Sequence, residues 1–126
     1  MKLRWRLFVN AKNETKARLL VDRFQKCISE KEVIKVDLSI LEIEPYWKDK
    51  THYKVEAETD IGACNLPNGL LRATSLCNRV ADSWHLTGPH QHSDGWDFEL
   101  TADSRHESVK VPGLSTIFCS ARNVKG

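Results

Sequence analysis

Apolar and basic residues alternate along the first nine positions of the chain. One phase is apolar and the other is basic: the apolar positions are Leu3, Trp5, Leu7 and Val9, and the basic positions are Lys2, Arg4 and Arg6. Because successive side chains of a strand point to opposite faces, this pattern predicts a half-buried β-strand with a basic outer face. The apolar spacing then changes to three and four residues, which predicts a helix capped by Asn13 with a buried stripe of Ala17, Leu20, Val21, Phe24 and Ile28.

Further strands and a second helix follow from the same two periods. Ile34, Val36, Leu38 and Ile40 alternate, and the pattern then slips to Leu41 and Ile43, which predicts a bulge near Ser39 to Leu41. The strand should end at Pro45. The remaining predicted elements are a strand through Tyr53, Val55, Ala57 and Thr59, a helix opening at Pro67 or Asn68 with Leu70, Ala73, Cys77, Val80 and Trp84 on one side, a strand through Trp96, Phe98 and Leu100, and further strand at 109–111 and 114–121.

This order of elements predicts an α+β fold. A β-α-β-β-α-β chain with an extra C-terminal strand suits a ferredoxin-like sandwich, in which two helices cover one face of a mostly antiparallel sheet. No repeat or linker divides residues 1–126, so we expect a single domain. In the usual order of this fold the first strand lies between the third and the fourth. Its outward basic residues would then be flanked by Lys54, Glu56 and Glu58 on one side and by Asp97 and Glu99 on the other.

Composition limits the compartment and the partner. Nineteen basic and seventeen acidic residues give a formal charge of +2, which is too small to indicate a polyanion partner. The four cysteines form no C-x-x-C pair, the first residues lack the apolar core of a signal peptide, and no apolar run is long enough for a membrane span. We therefore expect a cytoplasmic protein with reduced thiols, no cofactor and no membrane partner.

RNA binding is an alternative that the outer sheet face raises. RNA-recognition domains of this shape stack bases on aromatic residues of the open face. Here Phe8 is the only aromatic residue expected on that side, and carboxylates flank the basic residues. The sequence therefore disfavours a nucleic-acid partner.

The stretch from His85 to Trp96 contains three of the five histidines. Asp94-Gly95 is a strong two-residue hairpin signal, and a tight turn there would place His92 opposite Asp97 and His90 opposite Glu99. These four residues would share one face. They could form ordinary cross-strand pairs, or an open metal site built from His90, His92, Asp97 and Glu99. The sequence favours structural pairing and leaves the metal site as an alternative.

No catalytic motif is present, so the sequence leans away from an enzyme without excluding a metal-dependent one. The loop between the second and third strands instead places aromatic residues beside charges, which is typical of a protein-binding hot spot. We expect a non-catalytic protein-binding module, and by class analogy a bacterial immunity or antitoxin-type protein that occludes a toxin. The expected partner-binding residues are Tyr46, Trp47, Lys48, Asp49, His52, Asp97 and Glu99.

Overall fold

The structure is a computed structural model that describes residues 1–29, 36–105 and 109–124. Within these ranges the elements are β1 (Lys2–Asn10), α1 (Glu14–Ser29), β2 (Ser39–Pro45), β3 (His52–Asp60), α2 (Leu66–Cys77), β4 (His85–His92), β5 (Gly95–Asp103) and β6 (Leu114–Val124). The six strands form one antiparallel sheet in the order β2-β3-β1-β6-β5-β4. The predicted α+β class, with two helices and an antiparallel sheet, is confirmed.

The neighbours of β1 differ from the expected ones. We expected β1 to lie between the third strand and the strand that contains Asp97 and Glu99. Its second neighbour is instead β6, and β5 lies one strand further out. Side-chain alternation defines the two faces of a strand but not its neighbours, because every half-buried antiparallel strand has the same period. The C-terminal strand, which we expected as an addition, therefore lies near the centre of the sheet, and the predicted order of elements does not fit six strands.

The hydrophobic core lies between the helices and one face of the sheet. The apolar phase of β1 is fully buried, and the apolar stripe of α1 packs into the same cluster as the buried residues of α2. Trp5 contacts Phe24 of α1 edge to face at 5.1 Å between ring centroids. Its indole N–H donates to the Thr59 hydroxyl at 3.1 Å, so the buried polar group is satisfied. Each large apolar side chain buried here stabilises the fold by about 1.5–3 kcal/mol.

Side chains that satisfy exposed backbone groups define the helix ends. Asn13 accepts from the Lys16 amide at 2.8 Å, and Asn65 caps α2 by accepting from the Asn68 amide at 3.0 Å. The second helix ends at Cys77, seven residues before the predicted end. Trp84 lies outside it, and its indole N–H donates at 2.9 Å to the Cys77 carbonyl, which also accepts from the Val80 and Ala81 amides.

Two predicted strand segments also differ from the structure. We expected the second strand to start at Ile34, but residues 30–35 lie outside the described residues and residues 36–38 precede β2. The predicted bulge is present, because the pairing of β2 with β3 shifts between Ile40 and Glu42. Of the predicted strand at 109–111, only an isolated bridge from Val109 to Ala81 forms. No helix in the described part of the chain is long and apolar enough to cross a bilayer.

Candidate functional site

The face of the sheet that points away from the helices carries mostly polar and charged side chains. We call it the open face. Its side chains include Lys2, Arg4, Arg6 and Phe8 of β1, Glu56 and Glu58 of β3, Thr116, Phe118, Ser120 and Arg122 of β6, and Asp97, Glu99 and Asp103 of β5. The basic residues of β1 face carboxylates on β3, as expected. On the β6 side their neighbours are instead uncharged, Ser120 opposite Arg4 and Phe118 opposite Arg6.

One buried carboxylate holds two of these basic residues. Glu56 is only 5% exposed, and its two oxygens accept from the Nε of Arg6 at 2.7 Å and the Nε of Arg4 at 3.2 Å. Burying a carboxylate is costly unless charged donors bind it, and the two guanidinium groups meet that requirement. Since one negative charge is shared between two positive ones, Glu56 alone does not neutralise both Arg4 and Arg6.

Four aromatic rings lead from the β2–β3 loop onto the open face. Ring centroids are 6.2 Å apart between Trp47 and Tyr46, 4.8 Å between Tyr46 and Phe8, and 6.1 Å between Phe8 and Phe118. All three pairs meet edge to face, a geometry that aromatic pairs favour. We call these four residues the aromatic array. The expectation that Phe8 is the only aromatic residue on this side is wrong, because Phe118 takes the outward phase of β6 and Tyr46 packs against Phe8.

The β2–β3 loop exposes the outer end of the array. The Asp49 amide donates to the Tyr46 carbonyl at 3.2 Å, which places Trp47 and Lys48 at the two corners of a β-turn. The Trp47 side chain is 81% exposed, and the Lys48 ammonium lies 4.9 Å from the centre of its ring. Asp49 stabilises the base of the loop. Its carboxylate accepts from the Thr51 hydroxyl at 2.6 Å and contacts His52 at 3.0 Å. The Thr51 hydrogen bonds lower the pKa of Asp49.

The inner end of the array borders a groove of 570 Å³, which we call the aromatic groove. Its lining includes the rings of Phe8, Tyr46 and Phe118, and the polar side chains of Arg6, Asp49, His52, Asp103 and Arg105. Arg105 donates to the Asp103 carboxylate through two guanidinium nitrogens at 3.2 and 3.0 Å. The predicted residues Tyr46, Asp49 and His52 therefore do come together, at one end of the open face.

The predicted residues Asp97 and Glu99 lie in a different groove, of 620 Å³, which we call the polar groove. Its lining includes Lys2 and Arg4, the Glu58 carboxylate that binds Lys2 at 3.3 Å, and Arg122. Of the residues predicted for one partner surface, five are thus divided between two grooves of the same face, and Trp47 and Lys48 line neither. Arg4 lines the polar groove and Arg6 the aromatic groove, with their shared Glu56 between them.

The histidine hairpin has a different register from the predicted one. Ser93 and Asp94 form the turn, so His92 lies opposite Gly95, His90 opposite Asp97 and Thr87 opposite Glu99. The predicted pairs of His92 with Asp97 and His90 with Glu99 are therefore wrong. The turn forms one residue earlier than the Asp94-Gly95 signal indicated, and this moves the pairings of His90 and His92 by two positions, while a register shift between Thr87 and His90 changes the pairing further along the strand. A shift of two keeps each side chain on its face.

Asp97 holds two histidines of the hairpin, His90 and His92. Its carboxylate oxygens lie 2.7 Å from the Nε2 of His92 and 3.1 Å from the Nδ1 of His90. The hydrogen bond with His92 and then that with His90 lower the pKa of Asp97. Both imidazoles are thus directed at one carboxylate, and Glu99 is paired with Thr87 instead. Among the described residues, no group of three or more histidine, cysteine or acidic side chains is arranged to hold a metal ion.

The sequence analysis did not predict Arg6, Phe118 and Arg105 as binding residues. The signal for Phe118 was present, because Ile117, Cys119 and Ala121 share one phase of β6 and leave Phe118 in the other. Arg6 was expected to be neutralised by carboxylates on both sides, which the strand order prevents. Arg105 reaches the groove through its pairing with Asp103, a contact that no sequence pattern indicates.

Comparison with known proteins adds no relative. No protein-family model matches the chain, and no curated protein or solved structure matches it. Its function must therefore be inferred from the chemistry of the open face.

Proposed function

We propose that this protein is a non-catalytic protein-binding module whose contact surface is the aromatic array with the aromatic groove beside it. One observation supports this above all others. Trp47 is 81% exposed, while the three rings behind it are held by successive edge-to-face contacts. A tryptophan presented from a fixed base matches the residues that dominate binding energy at protein interfaces, which are rigid aromatic anchors surrounded by polar groups.

The charges around the array favour a protein partner over a polyanion. Lys48 and Asp49 follow Trp47 directly, and the Arg105–Asp103 pair lies in the adjoining groove. Charges of both signs beside an apolar anchor give orientation and specificity to a protein contact. The polar groove, with Asp97 and Glu99, extends the surface that a large partner would cover.

Within this class we propose a toxin-neutralising role of the immunity or antitoxin type, by analogy of class. The mechanism would be steric, with the Trp47 turn seated in or beside the active site of a bacterial toxin. The four cysteines form no disulfide with one another, which supports a reducing, cytoplasmic location. The sheet order β2-β3-β1-β6 supports a ferredoxin-like unit of β1, α1, β2, β3, α2 and β6 that the β4–β5 hairpin extends.

Substitution of Trp47 tests the protein-binding function. The tagged chain is used to capture its partner from the native cell, and the affinity of the identified partner is then measured for each variant. We expect Trp47→Ala to weaken binding by about 2 kcal/mol or more, roughly thirtyfold, as for a central anchor. The matched control is Leu71→Ala, which removes another exposed apolar side chain, 70% exposed on α2. Equal affinities of the wild type and Trp47→Ala would remove the array from the interface.

RNA binding is the second candidate, and one observation favours it. Phe8 and Phe118 lie side by side on the open face, as do the base-stacking residues of RNA-recognition sheets. The carboxylates of Glu56, Glu58 and Asp103 on the same face oppose a phosphate backbone. A labelled octauridylate separates the two functions: binding that is lost in Phe118→Leu and falls steeply with salt would favour RNA.

A further inference from the structure

We propose that the aromatic groove receives an aromatic side chain of the protein partner, and that Arg6 binds a carboxylate next to that side chain. This inference rests on the proposed protein-binding function and adds the chemistry of the bound segment. An acidic residue beside an aromatic one in an extended segment would supply both groups.

The shape of the groove fits an aromatic side chain. Phe8 meets Tyr46 at an interplanar angle of 63° and Phe118 at 72°, so the three rings are tilted against one another instead of forming a flat stack. Tilted neighbouring rings enclose a concave apolar surface, and the groove has a volume of 570 Å³. A further ring can meet such a surface edge to face or offset, which contributes beyond the area it buries.

Arg6 is a charged group of the groove whose N–H donors are not all bound. Its Nε is bound to Glu56 at 2.7 Å, and its side chain is 52% exposed. In the part of the chain that the structure describes, no hydrogen bond from its Nη atoms is found, although a guanidinium has five N–H donors. Because Arg4 shares Glu56, the positive charge of Arg6 is only partly neutralised. Glu56 is therefore a positioning residue that holds a partly free guanidinium beside the rings.

The carboxylates of the groove are already engaged, so the groove favours an anion over a cation. Asp103 accepts from Arg105 through both oxygens, and Asp49 binds the Thr51 hydroxyl, the Thr51 amide and His52. A cationic ligand would meet carboxylates whose charge these donors already partly offset. An incoming carboxylate can accept from the Nη atoms of Arg6 with no existing bond broken, and such charge-assisted bonds are among the strongest in proteins.

Two blocked dipeptides that differ only in charge test this inference. N-acetyl-Glu-Trp-amide and N-acetyl-Gln-Trp-amide are titrated into the full chain, and binding is followed by NMR shifts of the backbone and of the Phe ring protons. We expect the Glu peptide to bind in the millimolar range with shifts at Phe8 and Phe118, and the Gln peptide to bind about tenfold more weakly. Equal binding of the two peptides, or no binding of either, would overturn the proposal.

The matched pair Arg6→Gln and Arg4→Gln identifies the cation. Both side chains leave the same strand, pair with the same Glu56 and are equally exposed, but Arg4 lines the other groove. We expect Arg6→Gln to remove the preference for the Glu peptide and Arg4→Gln to retain it. Equal effects of the two substitutions would show long-range attraction in place of a site, which contradicts the proposal. The comparison of peptides in the wild type needs no variant to fold.

Trp47→Ala separates this inference from the function on which it rests. Trp47 does not line the aromatic groove, so we expect the Trp47→Ala protein to keep the preference for the Glu peptide. If Trp47→Ala abolishes partner capture but the wild-type protein binds both peptides equally, the proposed function stands and this inference fails. Tighter binding of octauridylate than of the Glu peptide, sensitive to Arg6→Gln, would assign the groove to nucleic acid instead.

Discussion

At the scale of single residues, the open face repeatedly uses one carboxylate to hold two donors. Glu56 binds Arg4 and Arg6, and Asp97 binds His90 and His92. The two differ in burial, since the Glu56 side chain is 7% exposed and that of Asp97 is 43% exposed. A surface pair in water contributes little to stability, whereas a buried carboxylate fixes its partners because leaving it unpaired is costly. Glu56 therefore positions binding groups, and Asp97 shapes a surface hairpin.

The pKa of Asp97 provides a direct test of the hairpin. We expect His92→Ala to raise this pKa towards the ordinary value of 3.8, and His90→Ala to raise it less, because the hydrogen bond with His92 is the larger cause. Since the folded pKa is lowered, the stabilisation is complete above the ordinary pKa and is lost as the pH falls through the lowered one. The Asp97 carboxyl resonance followed by NMR against pH measures each value. A larger shift in His90→Ala would contradict the observed geometry.

At the scale of elements, the faces of the strands were predictable from the sequence and their partners were not. The period of two defined the buried phase of β1 and the outward phase of β5, and both are as expected. The register of β4 against β5 was wrong by two positions, yet Asp97 still shares a face with His90 and His92, because only an odd shift reverses the faces. The position of β6 beside β1 depends on contacts distant in the chain, which local patterns do not encode. The aromatic array was therefore only partly predicted.

The turn that leads into β6 ties that strand to α1, and two glycines with similar backbones test this contact. Gly113 and Gly62 have φ of 94° and 84°, values that side-chain-bearing residues rarely adopt. A Cβ at Gly113 would lie 3.0 Å from Leu20, a core residue of α1, whereas a Cβ at Gly62 has no atom within 4 Å. We expect Gly62→Ala to cost about 1 kcal/mol from backbone strain and Gly113→Ala about 1 kcal/mol more from the contact. Urea denaturation measures both, and equal losses would refute the contact with α1.

At the scale of the whole molecule, a partner can contact the open face of the sheet more readily than it can pair with an edge strand. Both edge strands carry a register shift, and each contains a proline, Pro45 in β2 and Pro89 in β4. Proline removes a donor and a bulge interrupts the ladder, so these features discourage pairing with another strand. The helices cover the opposite face. A partner that binds by side-chain contacts on the open face is therefore consistent with the shape of the sheet.

The four cysteines report on unfolding of the whole molecule. Cys77 and Cys119 are fully buried in the core, whereas Cys27 and Cys64 are only partly buried. Burial, together with a hydrogen bond to the Cys77 thiol, raises the pKa of Cys119 well above the usual 9.0. Because the thiolate is the reactive form, we expect Cys27 and Cys64 to be alkylated in the native protein and Cys119 only after unfolding.

The raised pKa of Cys119 also makes the folding free energy depend on pH. Its contribution is complete below the usual thiol pKa and is lost as the pH rises above about 9, since the unfolded chain then ionises and the folded one does not. We expect the Cys119→Ala protein to be less stable than the wild type at neutral pH. Above about pH 9, its stability should fall less steeply with pH than that of the wild type. Iodoacetamide labelling at increasing urea, read by mass spectrometry of each thiol, should show Cys119 reacting in step with global unfolding. Native-state labelling of Cys119 as fast as that of Cys64 would mean that the core beneath β6 opens locally.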